Sequence, residues 1–115
     1  MRSLSIQVQP ARSPGIDMPA IQAMFAAIAT EKGLVEHHAF NHGVDDGPYF
    51  NFTFGTLDAR TLWQRIRRDL YEDPGAGPHM RRASMAVCSE ETGWDDYDLL
   101  YHFDPAVPVD TDPDF

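Results

Sequence analysis

Between Tyr49 and Phe54 the chain alternates strictly, so Phe50, Phe52 and Phe54 fall on one side of an extended strand while Tyr49, Asn51 and Thr53 fall on the other. Three rings on one face require an apolar layer above them, which commits the chain to a sheet with one buried side. Two segments of helical period supply that layer. Ile21, Met24, Phe25 and Ile28 recur at i, i+3, i+4 and i+7, behind Asp17 as N-cap and Pro19 in the first turn, and ahead of Gly33 as a stop. Leu62, Trp63, Ile66 and Leu70 form a second stripe behind Asp58. There Leu57 and Leu62 occupy the positions of a hydrophobic staple, and Asp73-Pro74-Gly75 ends the helix.

The remaining elements are strands. Leu4, Ile6 and Val8 alternate with polar neighbours up to Pro10, and residues 35–41 extend into a turn at Gly43 to Pro48 that makes a hairpin with Tyr49–Phe54. Further on, Ala83, Met85 and Val87 alternate with Ser84, Ala86 and Cys88, and Tyr97, Leu99, Tyr101 and Phe103 alternate with Asp98, Leu100 and His102. The first six elements follow the split βαββαβ order called ferredoxin-like, and the seventh adds a C-terminal strand. An α+β fold is expected, with two helices on one face of a mainly antiparallel sheet. Ser5, Gln7, Tyr49, Asn51, Thr53, Ser84, Ala86, Cys88, Leu100 and His102 would then line the uncovered face.

At 115 residues there is room for one ordinary domain, read as residues 1–105. Residues 106–115 read as an acidic, Pro-rich tail containing Pro108 and Pro113. No apolar run approaches the ~20 residues of a membrane span, the N-terminus has no signal-peptide core, and Cys88 is the one cysteine. The expectation is a cytoplasmic protein without disulfides and without membrane association.

The net charge of −9 is unevenly placed. Acidic and basic side chains balance over residues 1–89. Glu90, Glu91, Asp95, Asp96, Asp98, Asp104, Asp110, Asp112 and Asp114 then follow with no Lys or Arg among them. Phosphate backbones are repelled by such a segment, whereas a basic protein surface is attracted and steered to it. The basic residues Arg60, Arg65, Arg67, Arg68, Arg81 and Arg82 lack interleaved exposed aromatics, so they are read as pairing within the chain, with Asp69, Glu72, Asp73 and the acidic quarter. Nucleic acid is not an expected partner.

Catalytic signatures are absent: no phosphate loop, no nucleophile elbow and no HExxH helix. Asp110-Thr111-Asp112-Pro113-Asp114 imitates the start of a calcium loop but lacks its Gly and closing Glu. His37, His38 and His42 crowd one strand near Glu36, Asp45 and Asp46 without a chelating pattern, so no metal and no cofactor is implied. Cys88 has no nameable base and reads as a small buried hydrophobe.

Two readings from different classes follow. The first is a small acidic protein-binding module, of which an immunity-type inhibitor of a basic toxin or enzyme is one form. Its partner surface is Asp95, Asp96, Asp98, His102 and Asp104. The second is a small dimeric enzyme or ligand binder that uses the open sheet face through Tyr49, Asn51, Leu100 and His102, with Asp98 and His102 four apart as a proton-transfer pair. Open sheet faces commonly pair, so a homodimer is expected under this reading.

Overall fold

The five strands hydrogen-bond entirely antiparallel, in the order β2-β3-β1-β4-β5, where β1 is Arg2–Val8, β2 His37–Val44, β3 Pro48–Thr56, β4 Ser84–Glu90 and β5 Gly93–His102. Three helices complete an α+β domain: α1 Met18–Ala29, α2 Ala59–Ile66 and α3 Gly77–Ala83. The structure is a computed structural model that describes residues 1–90 and 93–110, without the side chains of residue 90 and residues 93–96.

Register dictates which residues share a face. On one side the cross-strand rows are Phe40–Phe52–Ile6–Ala86–Tyr101 and His38–Phe54–Leu4–Cys88–Asp98. Leu4, Ile6, Phe52 and Phe54 in these rows, with Val8 further along β1, are buried with Ile21, Phe25 and Ile28 of α1, Leu62, Trp63 and Ile66 of α2, and Met80 of α3. Phe25 stacks on Phe52 with ring centroids 4.2 Å apart, and Phe40 meets Phe52 edge-on at 5.2 Å. The triple-phenylalanine face is the core face, with Phe50 half-buried at its end.

Local chemistry fixes the helix starts. Asp17 Oδ1 accepts the Ala20 N–H at 3.1 Å, and Asp58 Oδ1 accepts that of Thr61 at 3.2 Å; hydrogen bonds from the Thr61 side chain, and then from its backbone, hold the Asp58 carboxyl below its ordinary pKa. The expected staple does not form, because Leu57 is 73% exposed. The approach to α2 is instead set by buried Thr56, whose hydroxyl donates to the Leu34 carbonyl at 2.7 Å and accepts the Asp58 N–H at 3.0 Å. Past Ile66 the helix widens into a π-helical segment, Arg67–Tyr71. It turns Leu70 and Tyr71 into the core, and the Tyr71 hydroxyl hydrogen-bonds Ser84 Oγ at 2.6 Å. Burial raises the Tyr71 pKa far above the ordinary phenol value, so it stays protonated.

Residues Gly77–Ala83, for which the sequence marked no helix, form α3, which passes directly into β4. That junction sets the phase of β4, and the phase is opposite to the sequence expectation. Ser84, Ala86 and Cys88 are buried under the helices, with Ser84 Oγ donating to the Met80 carbonyl at 2.7 Å. Met85 and Val87 take the other face. Both alternating sets are nearly apolar, so periodicity alone left the choice undetermined.

The arginine pairing also differs in detail. Arg65 of α2 reaches Asp69 of the π-helical segment at 2.6 Å and Glu31 in the turn after α1 at 2.7 Å, tying that turn to α2, and Arg68 reaches Asp69 at 3.0 Å. Asp73 accepts the Gly75 and Ala76 N–H groups instead of an arginine. Partial burial opposes ionisation of Asp69, but the hydrogen bonds from Arg65 and Arg68 prevail and lower its pKa. Its stabilising contribution is therefore present above the unfolded carboxyl pKa of about 4 and disappears as pH falls through the lower folded value. Asp69→Asn should cost about 0.5–1 kcal/mol near neutral pH, because solvent screens the pair, and the gap in melting temperature from wild type should narrow as pH falls below the ordinary carboxyl pKa.

Candidate functional site: the uncovered sheet face

No helix or strand of the chain lies over the second sheet face among the described residues. Its rows are Asn41–Asn51–Gln7–Met85–His102, Ala39–Thr53–Ser5–Val87–Leu99 and His37–Gly55–Ser3–Ser89–Tyr97. The rows divide the face by strand. β2, β3 and β1 contribute amides and hydroxyls, whereas β4 and β5 contribute Met85, Val87, Leu99 and Tyr97.

The polar half is internally bonded. Gln7 Nε2 donates to Asn51 Oδ1 at 3.0 Å, Asn51 Nδ2 donates to Asn41 Oδ1 at 3.1 Å, and the Ser5 and Thr53 hydroxyls pair at 2.8 Å. At the end of the sheet Gln9 Nε2 donates to Gln7 Oε1 at 2.8 Å, and Arg12 Nε donates to Gln9 Oε1 at 2.5 Å. The Arg12 guanidinium lies 3.8 Å over the Phe103 ring, a cation–π contact that ties the turn after β1 to the end of β5.

The apolar half carries a shallow hollow of about 440 Å³ lined by Met85, Val87, Tyr97, Leu99, His102 and Val107. Tyr97 is 55% exposed. The chain beyond β5 stays close to it. The Asp110 carboxylate accepts the Leu99 N–H at 2.6 Å, and the Asp110 N–H donates to the Leu99 carbonyl at 2.8 Å. His102 Nδ1 accepts the Asp104 N–H at 3.0 Å.

The sequence grouped Asp98, Leu100 and His102 on one face, and the structure separates them. Val87 pairs with Leu99 while Ala86 pairs with Tyr101, so Leu100 is the extra residue of a β-bulge. The bulge reverses the alternation beyond it. Tyr97 and Leu99 share the open face with His102, whereas Asp98 and Tyr101 lie on the helix side. Leu100, expected on the open face, is only 8% exposed and belongs to the core. The side chains of Asp95 and Asp96 lie outside the described residues. Asp104 is exposed just past β5.

Tyr49, Asn51 and His102 do lie on the uncovered face, but not together. Tyr49 on β3 and His102 on β5 are separated by two intervening strands, or about 14 Å at ordinary strand spacing, and Asp98 is on the opposite side. An Asp98–His102 proton relay is therefore not assembled. His37 crosses Gly55 on the open face, while His38 packs against Phe40 and His42 against Phe50 on the helix side. Among the described residues no three His, Cys, Asp or Glu side chains converge as a metal site.

One constellation carried no sequence signal. Buried Ser13 Oγ sits 2.7 Å from His79 Nδ1 and accepts from Arg82 Nε at 3.1 Å. These residues lie 66 and 69 positions apart, so no local motif reveals them. The serine resembles a nucleophile beside its base, but its oxygen is fully buried. The geometry fits a tie between the turn after β1 and α3. No family model, curated protein or solved structure matches the chain.

Proposed function

We propose that this chain is a protein-binding module whose contact surface is the apolar half of the uncovered sheet face, and whose partner is a protein with a basic surface. The reading is carried by one observation: Met85, Val87, Leu99 and the exposed Tyr97 form a strip over which no helix or strand of the described residues lies, with the exposed acidic residues Asp104 and Asp110 following β5. Exposed aromatic and aliphatic groups supply the desolvated centre of an interface, and the surrounding carboxylates steer encounter and select charge. An inhibitor of a basic toxin or enzyme, acting by occlusion, is the form we infer. We further infer a ferredoxin-like core. The strand order over β1–β4 and the placement of β5 as hairpin partner of β4 support it, as an analogy of architecture that carries no function.

The test is capture from the native cell at low salt by wild type and by a Tyr97→Ala/Leu99→Ser variant, followed by kinetics with the captured protein. The expected partner is basic, its on-rate falls steeply as salt rises, and the variant binds at least tenfold more weakly through a faster off-rate. Retention of a partner equally by both proteins would overturn the reading. So would a salt-insensitive dimer of this chain that the variant abolishes, because the strip would then belong to a second copy.

A further inference from the structure

At the other end of the uncovered face, beyond the apolar strip, a groove of about 520 Å³ opens between the β2–β3 turn and the turn after β1. Its floor is the amide row of Gln9, Gln7 and Asn51, and its rim carries Arg12 on one side and Asp45 and Asp46 on the other. The amides are oriented in one sense, Arg12 to Gln9 to Gln7 to Asn51 to Asn41, each N–H donating to the next oxygen. Bonds in such a chain polarise one another. Each of the three floor amides uses one N–H and one oxygen lone pair along the row, leaving one donor and at least one acceptor site directed elsewhere.

Tyr49 completes the groove. Its ring lies across Gly43 on the neighbouring strand. A Cβ placed on Gly43 would fall 2.5 Å from the tyrosine oxygen and 2.7 Å from Cζ, so glycine is what lets the ring lie down. A ring resting on backbone presents its other face outward as a platform. The turn that bears the carboxylates is fixed by Asp46 at φ +56° and Gly47 at φ +121°.

We propose that this groove binds a neutral carbohydrate, with Tyr49 as the stacking platform and the Gln7, Gln9 and Asn51 amides as the hydroxyl-reading row. A sugar hydroxyl both donates and accepts, which matches groups offering a donor and an acceptor side by side, and the C–H face of a pyranose is the apolar complement of a flat ring. The carboxylates of Asp45 and Asp46 accept from hydroxyl pairs. A phosphorylated ligand is disfavoured, since two carboxylates face one guanidinium around the rim. A lipophilic ligand lacks an apolar wall.

The experiment is a titration of the isotopically labelled chain with maltotriose, cellotriose, xylotriose, mannotriose and chitotriose, followed by amide chemical shifts. At least one trisaccharide should give saturable shifts centred on the Gln7, Gln9 and Asn51 side-chain amides and on backbone residues 45–51. Gly43→Ala, which lifts the ring without removing it, and Tyr49→Ala should each weaken binding at least tenfold, whereas Tyr49→Phe should retain it. Because the displaced atoms belong to the free end of one side chain, Gly43→Ala should leave the fold intact. Leu99→Ser should not change the affinity, which separates this site from the protein-binding strip. No saturable shift with any of the five sugars would overturn the proposal, as would binding unaffected by Gly43→Ala and Tyr49→Ala.

Discussion

Phe52→Ala is expected to destabilise the domain by about 3–5 kcal/mol in denaturant melts. Phe52 is 2% exposed, stacks on Phe25 of α1, takes the edge of Phe40 and pairs in register with Ile6 at the centre of the sheet. Removing the ring takes away the surface on which α1 rests, and the cavity lies between a helix and the central strands, where neighbours have least freedom to collapse. Phe40→Ala supplies the internal comparison. That ring belongs to the same aromatic group but lies on edge strand β2 and is 38% exposed, so its loss should cost about 1 kcal/mol. Equal losses at the two positions would mean that the core does not end at β3.

The second large effect separates two adjacent leucines. Leu100→Ala should cost about 2–4 kcal/mol, because the bulge turns that side chain into the core, while Leu99→Ala on the open face should cost about 1 kcal/mol or less. Strict alternation through β5 would have given Leu100 the smaller loss. Chemical denaturation of the two variants under one set of conditions therefore reads the bulge directly. A reversed ranking would restore the face that grouped Leu100 with His102.

These contrasts also locate where the sequence was legible. Strand β3 could be assigned because its two faces differ sharply, with phenylalanine on one and Tyr49, Asn51 and Thr53 on the other. The stripes of α1 and α2 were legible for the same reason, and Asp17 and Asp58 act as the caps their chemistry suggests. Strand β4 has no such contrast: Ala83, Met85 and Val87 compete with Ser84, Ala86 and Cys88 for the core, and size does not decide which set a helix will cover. In β5 the alternation was real as a pattern but interrupted by one residue, and a bulge has no composition of its own when no glycine marks it. The expected open face was consequently wrong in Ser84, Ala86 and Cys88 of β4 and in Leu100 of β5, and right in His102 of β5 and in the residues of β1 and β3. The Gln7–Asn51 link of its polar ladder arises from register between strands 44 residues apart, which no local pattern encodes, and its reclining tyrosine arises from the hairpin register that sets Tyr49 opposite Gly43.

The position of β1 has a consequence for how the domain comes into being. This strand is the first to be made and the middle one of the finished sheet. Its partners are remote: Leu4 pairs with Phe54 on one side and with Cys88 on the other. At a synthesis rate of about 5–20 residues per second, β1 waits roughly 4–17 s for its second neighbour, with one whole edge and the apolar face of Leu4, Ile6 and Val8 unsatisfied. The loop-closure entropy of joining ends so far apart must be met before those contacts stabilise anything, which slows folding relative to a chain built from local contacts. During that interval the half-made sheet offers an unpaired strand to any neighbouring chain, so aggregation during synthesis is a hazard set by topology rather than by the stability of the finished fold.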